Sequence, residues 1–120
     1  DILEPAYDDE LGVTAAFNRN LLSHLNRLLD SNFQPRGWQH VALYNEAQSR
    51  IEMHLQARHS CDVRWPGGHR HFTAGERIHT ENSYKYRVQD FVMLLRDAGF
   101  TQAQAWTDPR QWFAVVLAKP

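Results

Sequence analysis

The sequence predicts an α+β fold: an antiparallel β meander, two main helices and a C-terminal β hairpin. Three observations predict it. Apolar residues recur at helical spacing toward both ends of the chain, at Phe17, Leu21, Leu25 and Leu28, and at Val88, Phe91, Val92, Leu95 and Ala98. Between them the period falls to two, with Ile51, Met53, Leu55 and Ala57 alternating with Glu52, His54, Gln56 and Arg58. The chain then ends on a dense apolar run, Trp112 to Ala118, preceded by the turn Thr107-Asp108-Pro109-Arg110.

Each element has its local reason. Residues 1–13 read as irregular because of Pro5, the pair Asp8-Asp9 and Gly12. Thr14 is a candidate N-cap, its hydroxyl able to accept from an unpaired first-turn N–H. Leu22 and Leu29 widen the stripe of the first helix into a core-facing surface, and Asp30-Ser31-Asn32 ends it. Residues 35–40 read as a short helical turn or a loop. His40 to Tyr44 is a strand, Asn45 to Ser49 a turn, and Ile51 to Ala57 a half-buried strand. Cys61 to Trp65 and His69 to Thr73 pair around Pro66-Gly67-Gly68, where glycine reaches positive φ without steric cost. Gly99 stands where the second helix should end, and Thr101 to Trp106 is the strand before the final turn.

Composition narrows the class. With 120 residues the chain suits one small domain. Its 13 Lys+Arg against 14 Asp+Glu, interspersed, give a net charge of −1 and no basic stripe for nucleic acid. No apolar run reaches the length of a membrane span. A single cysteine, Cys61, excludes an internal disulfide framework and fits a reducing, cytoplasmic compartment. Cys61 reads as a small core or edge residue.

Several groups could carry chemistry. The seven histidines raise a metal reading, but no Cys pair and no His-Glu-x-x-His spacing supports one, so His69 and His71 read as polar residues flanking a hairpin turn. No metal ligand is assigned. Gly67-Gly68 lies in a hairpin turn rather than between strand and helix, which is the wrong context for a phosphate loop. The stretch Ile78 to Tyr86 is dense in hydrogen-bonding groups. If it is extended, Glu81 and Ser83 point the same way. A carboxylate and a hydroxyl so placed would grip a small ligand carrying two nitrogens. The competing reading is a polar loop capping the second helix. Tyr7 is an anchoring aromatic or a binding residue, and Met53 reads as core.

The runs Ala6-Tyr7-Asp8-Asp9, Gly12 to Asn20, Arg50 to Leu55, Gly75-Glu76 and Ile78 to Tyr86 occur in this order. Together they resemble the C-terminal part of the histidine-specific, S-adenosylmethionine-dependent methyltransferases, the first enzyme of ergothioneine biosynthesis. The close of the chain, Ala98-Gly99-Phe100, a strand, Trp106-Thr107-Asp108-Pro109 and an apolar strand, is similar to the end of many class I methyltransferases.

The resemblance implies a piece of a longer enzyme, and an opening residue other than Met agrees with that. It implies a substrate-binding portion over residues 1–86. Residues 87–120 would complete the sheet of a class I α/β methyltransferase. Tyr7 would bond the amino-acid end of histidine, Met53 would pack beside its imidazole, and Glu81 and Ser83 would take the two ring nitrogens. No catalytic base is assigned. S-adenosylmethionine would be bound mainly by an N-terminal part absent from this chain, so the isolated piece would be inactive. Its partners would be histidine and the missing methyltransferase domain, with self-association through exposed apolar edges when isolated. The alternatives are an N-methyltransferase for another amino acid or an indole, and a stand-alone small-ligand binding module.

Overall fold

A computed structural model describes residues 2–120. The chain divides into two compact units, Asp1–Tyr84 and Lys85–Pro120. The first contains helices α1 (Leu3–Tyr7) and α2 (Val13–Leu29), a 3-10 turn at Pro35–Gly37, and strands β1 (Trp38–Asn45), β2 (Arg50–Ala57), β3 (Cys61–Trp65), β4 (Gly68–Phe72) and β5 (Arg77–Tyr84). The second contains helix α3 (Val88–Asp97) and strands β6 (Gln102–Thr107) and β7 (Ala114–Lys119). The mixed α+β class stands, with a short third helix where an irregular start was expected.

The main sheet has the order β1-β2-β5, all antiparallel. It is not a simple meander. The β3–β4 ribbon is a separate two-stranded sheet inserted between β2 and β5. The alternation in β2 works as the sequence implies on one face: Ile51, Met53, Leu55 and Ala57 are all buried. Leu22, Trp38, Leu55, Ala57, Val63 and Phe72 form the core cluster, with the Trp38 and Phe72 rings edge-to-face at 4.9 Å. The ribbon thus supplies Val63 and Phe72 to the core. Cys61 packs partly against the same cluster, and burial raises its thiol above the ordinary range, as befits a packing residue.

Two helical expectations are corrected. Thr14 does not cap α2. Gly12 is the N-cap, at φ 71°, and the Asp9 carboxylate accepts from the N–H groups of Val13 and Thr14 at 3.1 and 3.0 Å. These backbone donors, Thr14 first, hold the Asp9 carboxyl at about 2. The buried face of α2 is also rotated from the leucine stripe. Ala15, Asn18 and Leu22 face inward, while Phe17 is 70% and Leu28 66% exposed. A polar Asn at the centre of the packed face decides the rotation, because its hydrogen bonds exist only there.

The outer face of the sheet carries Glu52, Arg50 and His54. Glu52 is 7% exposed yet satisfied: Asn45 Nδ2 and Arg50 Nε donate to Oε2 at 2.9 and 2.8 Å, and His54 Nε2 lies 3.0 Å from Oε1. These bonds, Asn45's first, hold the carboxyl at about 2, below its ordinary 4.5.

In the second unit β6 and β7 form an antiparallel pair. Gly99 follows α3 at φ 104°, as the sequence predicts. The last strand is shorter than expected: Trp112 and Phe113 precede it in a turn whose N–H groups are gathered by the Asp108 carboxylate.

Two outcomes follow. Leu22→Ala should cost about 2–5 kcal/mol by urea unfolding, whereas Phe17→Ala should stay within about 0.5 kcal/mol. Because Asp9 and Glu52 have depressed carboxyls, their contribution is full above about pH 4.5 and is lost as pH falls toward about 2. Glu52→Gln should flatten part of that acid limb in urea midpoints measured from pH 5 to 2, and Asp9→Asn a separate part.

Candidate functional site

Tyr7, Met53, Glu81 and Ser83 come from three elements, and the structure brings them to one face of the main sheet. Met53 lies opposite Glu81 across the β2–β5 ladder, and Ile51 opposite Ser83. Directly opposed residues share a face. The segment expected to be either extended or a helix cap is extended, and α3 has no side-chain cap. Tyr7, the last residue of α1, reaches across to place its hydroxyl 2.9 Å from Ser83 Oγ.

A β-bulge makes this geometry. The register runs Met53–Glu81 and then His54–His79, so Thr80 is an extra residue in β5. In a regular strand Ile78 and Glu81, three apart, would face opposite ways. With the bulge, Ile78 stays on the Leu55 side and packs on the core, while Glu81 and Ser83 join the same face. The Thr80 hydroxyl holds the bulge, bonding Asn18 Oδ1 at 2.7 Å and Met53 O at 3.0 Å.

The four residues differ in exposure. Met53 is 5% exposed, consistent with its reading as core. Tyr7 and Ser83 are half-buried, and Glu81 is exposed. The Glu81 carboxylate makes no hydrogen bond or ion pair among the described residues. It borders a shallow hollow of about 280 Å³ against α2, lined also by Phe17, Asn20, Leu21 and His24. A carboxylate, a hydroxyl pair and a thioether on one sheet face can hold a small flat ligand with N–H and acceptor nitrogens.

Three buried or half-buried residues of this region were not singled out by the sequence reading: Asn18, His40 and Thr80. His40 Nε2 lies 2.7 Å from Tyr7 O and its Nδ1 2.8 Å from Asn18 Nδ2. A polar Asn in register with Ala15 and Leu22 was the available signal.

A larger hollow, about 390 Å³, belongs to the second unit, between Arg87, Gln89, Gln111 and Trp112. It contains no carboxylate, and none of the four candidate residues borders it.

The metal question takes a different form in three dimensions. His69 and His71 are exposed, and His71 pairs with Asp62 at 2.8 Å. On the outer face, ligand atoms of Glu52, His54 and His79 lie within 4.8 Å of one another. Two features turn this group away from a cation. Arg50 and Asn45, both outside the group, already engage Glu52 Oε2. The two imidazoles also stack at 4.4 Å with planes 24° apart. Their in-plane lone pairs therefore do not converge within the ~2.0–2.1 Å a metal requires.

Comparison with known proteins agrees with the order of the motifs. The family model described as histidine-specific methyltransferase, SAM-dependent, matches residues 1–120. Histidine N-alpha-methyltransferase of Mycolicibacterium smegmatis is 45% identical over 115 residues, which cover 94% of this chain and 36% of that protein. Its counterpart from Mycobacterium tuberculosis is 44% identical with the same coverage. Ergothioneine biosynthesis protein 1 of Schizosaccharomyces pombe is 25% identical over 101 residues, 83% of this chain and 13% of that protein. The chain thus spans about a third of the length of the two mycobacterial relatives it matches. With a family model matched from its first residue to its last, the chain belongs to the histidine-specific, SAM-dependent methyltransferases.

Proposed function

We propose that this chain is the imidazole-recognising part of an enzyme that transfers methyl groups from S-adenosylmethionine to the α-amino nitrogen of histidine. The observation that carries the reading is the convergence of Glu81, Ser83, Tyr7 and Met53 on one sheet face, with the Glu81 carboxylate unengaged among the described residues. A neutral imidazole has one N–H and one bare nitrogen. Glu81 accepts from the first and the Ser83 hydroxyl donates to the second. Tyr7 turns its hydroxyl to the amino-acid end. Met53, packed in the sheet, gives the ring an apolar side wall.

The donor is not held by these residues. A donor site of the class I kind opens from a strand through a glycine-rich loop into a helix. The paired glycines here, Gly67-Gly68, close the β3–β4 hairpin instead, and the Trp65 ring lies 2.8 Å from where a Gly68 Cβ would sit. The role left to this chain is positioning, since an amine attacking a sulfonium methyl must be aimed and close.

In this reading residues 1–86 form the substrate portion, and residues 87–120 supply a helix and strand pair to a larger sheet. The division at Tyr84/Lys85 is consistent with it. So are the exposed side chains of Trp106, Val115 and Leu117 on the β6–β7 pair, a two-stranded sheet with unpaired edges. The chain alone would then have no transferase activity.

Glu81→Ala, made in the gene product that carries this chain, should weaken histidine binding by about 1–3 kcal/mol and leave S-adenosylmethionine binding unaltered. Titration calorimetry reads both. Equal histidine affinity before and after the substitution refutes the assignment.

A further inference from the structure

We propose that Asn18, His40 and Thr80 are positioning residues that set the aim of Tyr7 and Glu81 toward the substrate. The proposal rests on the functional reading above and adds to it residues that act through Tyr7 and Glu81. Asn18 is 3% and His40 6% exposed, the two most buried polar side chains between α2 and the sheet. Buried polar groups of this kind have to be fully paired.

The pairing has one consistent solution. Thr80 Oγ1 donates to Asn18 Oδ1, 2.7 Å away, which fixes the Asn18 oxygen as acceptor. Asn18 Nδ2 then supplies two protons, one to His54 O at 3.1 Å and one to His40 Nδ1 at 2.8 Å. The reversed amide would set oxygen against the His54 carbonyl. With Nδ1 accepting, the His40 proton is on Nε2, and it donates to Tyr7 O at 2.7 Å. The Thr80 hydroxyl is also 3.0 Å from Met53 O. The chain of bonds therefore runs from Tyr7 through His40 and Asn18 to Thr80, whose hydroxyl sits beside the Met53 carbonyl.

Its ends are what give it a role beyond cohesion. One end grips the backbone of Tyr7. The other grips the bulge residue that precedes Glu81, at the point where the register of β5 decides which face Glu81 takes. Loss of the Thr80 hydroxyl leaves Asn18 Oδ1 unpaired and relaxes the bulge. Loss of the His40 donor frees the end of α1 and with it the Tyr7 hydroxyl.

Two pairs of variants in the gene product carrying this chain test this by calorimetry with histidine and S-adenosylmethionine. Thr80→Val keeps the shape and removes the hydroxyl. It should weaken histidine binding about tenfold, equivalent to about 1.4 kcal/mol. Thr80→Ser should recover most of that loss, and neither should change donor affinity. His40→Gln places an amide nitrogen where Nε2 stood and still reaches the Tyr7 carbonyl. His40→Asn reaches only Asn18. Histidine affinity should therefore follow Gln over Asn, whatever the order of their melting temperatures. If Thr80→Val fails to fold, the His40 pair decides. Histidine affinity unchanged in Thr80→Val and His40→Asn, with only melting temperatures lowered, overturns the proposal alone. An unsubstituted protein that binds no histidine overturns the functional reading, and this proposal falls with it.

Discussion

One extra residue in a strand governs the first unit. β5 has to contribute Ile78 to the core at one end and Glu81 and Ser83 to the same face further along. Strict alternation forbids this, since Ile78 and Glu81 differ by an odd number of positions. The bulge at Thr80 resolves the conflict, and a bulge needs something to hold its unpaired residue. The Asn18 side chain and the Met53 carbonyl do so through the Thr80 hydroxyl. The rotation of α2, the burial of an asparagine and the exposure of Phe17 all follow from that requirement.

The two faces of the main sheet solve the problem of buried polarity in different ways. On the helix side the network is built of directional hydrogen bonds among Asn18, His40 and Thr80. On the outer side it is ionic, with Glu52 shared among Asn45, Arg50 and His54. The ionic network anchors the edge through Arg50, which also donates to the Tyr84 hydroxyl at 2.8 Å. Breaking one partner of such a pair would leave the nearly buried Glu52 carboxylate without its guanidinium. On the other face the Glu81 carboxylate stands exposed, with no hydrogen bond or ion pair among the described residues.

Legibility in the sequence followed the range of the forces. β2 was readable because its period-two pattern is a local consequence of having one buried face. The end of α3 at Gly99 was readable because positive φ is a property of one residue. The capping of α2 was misassigned by proximity: Thr14 has the right chemistry, but the helix begins at Val13, and the Asp9 carboxylate from the preceding turn takes the Val13 and Thr14 N–H groups. The α2 stripe misled because leucines on a helix say only that some surface is apolar. The packed face was chosen by Asn18, whose partners His40, His54 and Thr80 are distant in sequence. The inserted β3–β4 ribbon was visible as two strands, yet its separation from the main sheet was not, because strand pairing is a long-range choice.

The sequence by itself determined the α+β class, most of the strands, the absence of a basic face and the ordered motifs by which the chain resembles its family. These depend on composition, short-range periodicity and residue order. Only the tertiary structure decided that Tyr7 meets Ser83, that Met53 faces Glu81, and that His54 and His79 stack behind them. Register sets all three, and register is fixed by where the bulge falls. The bulge in turn is fixed by side chains from α2 that no window along β5 contains.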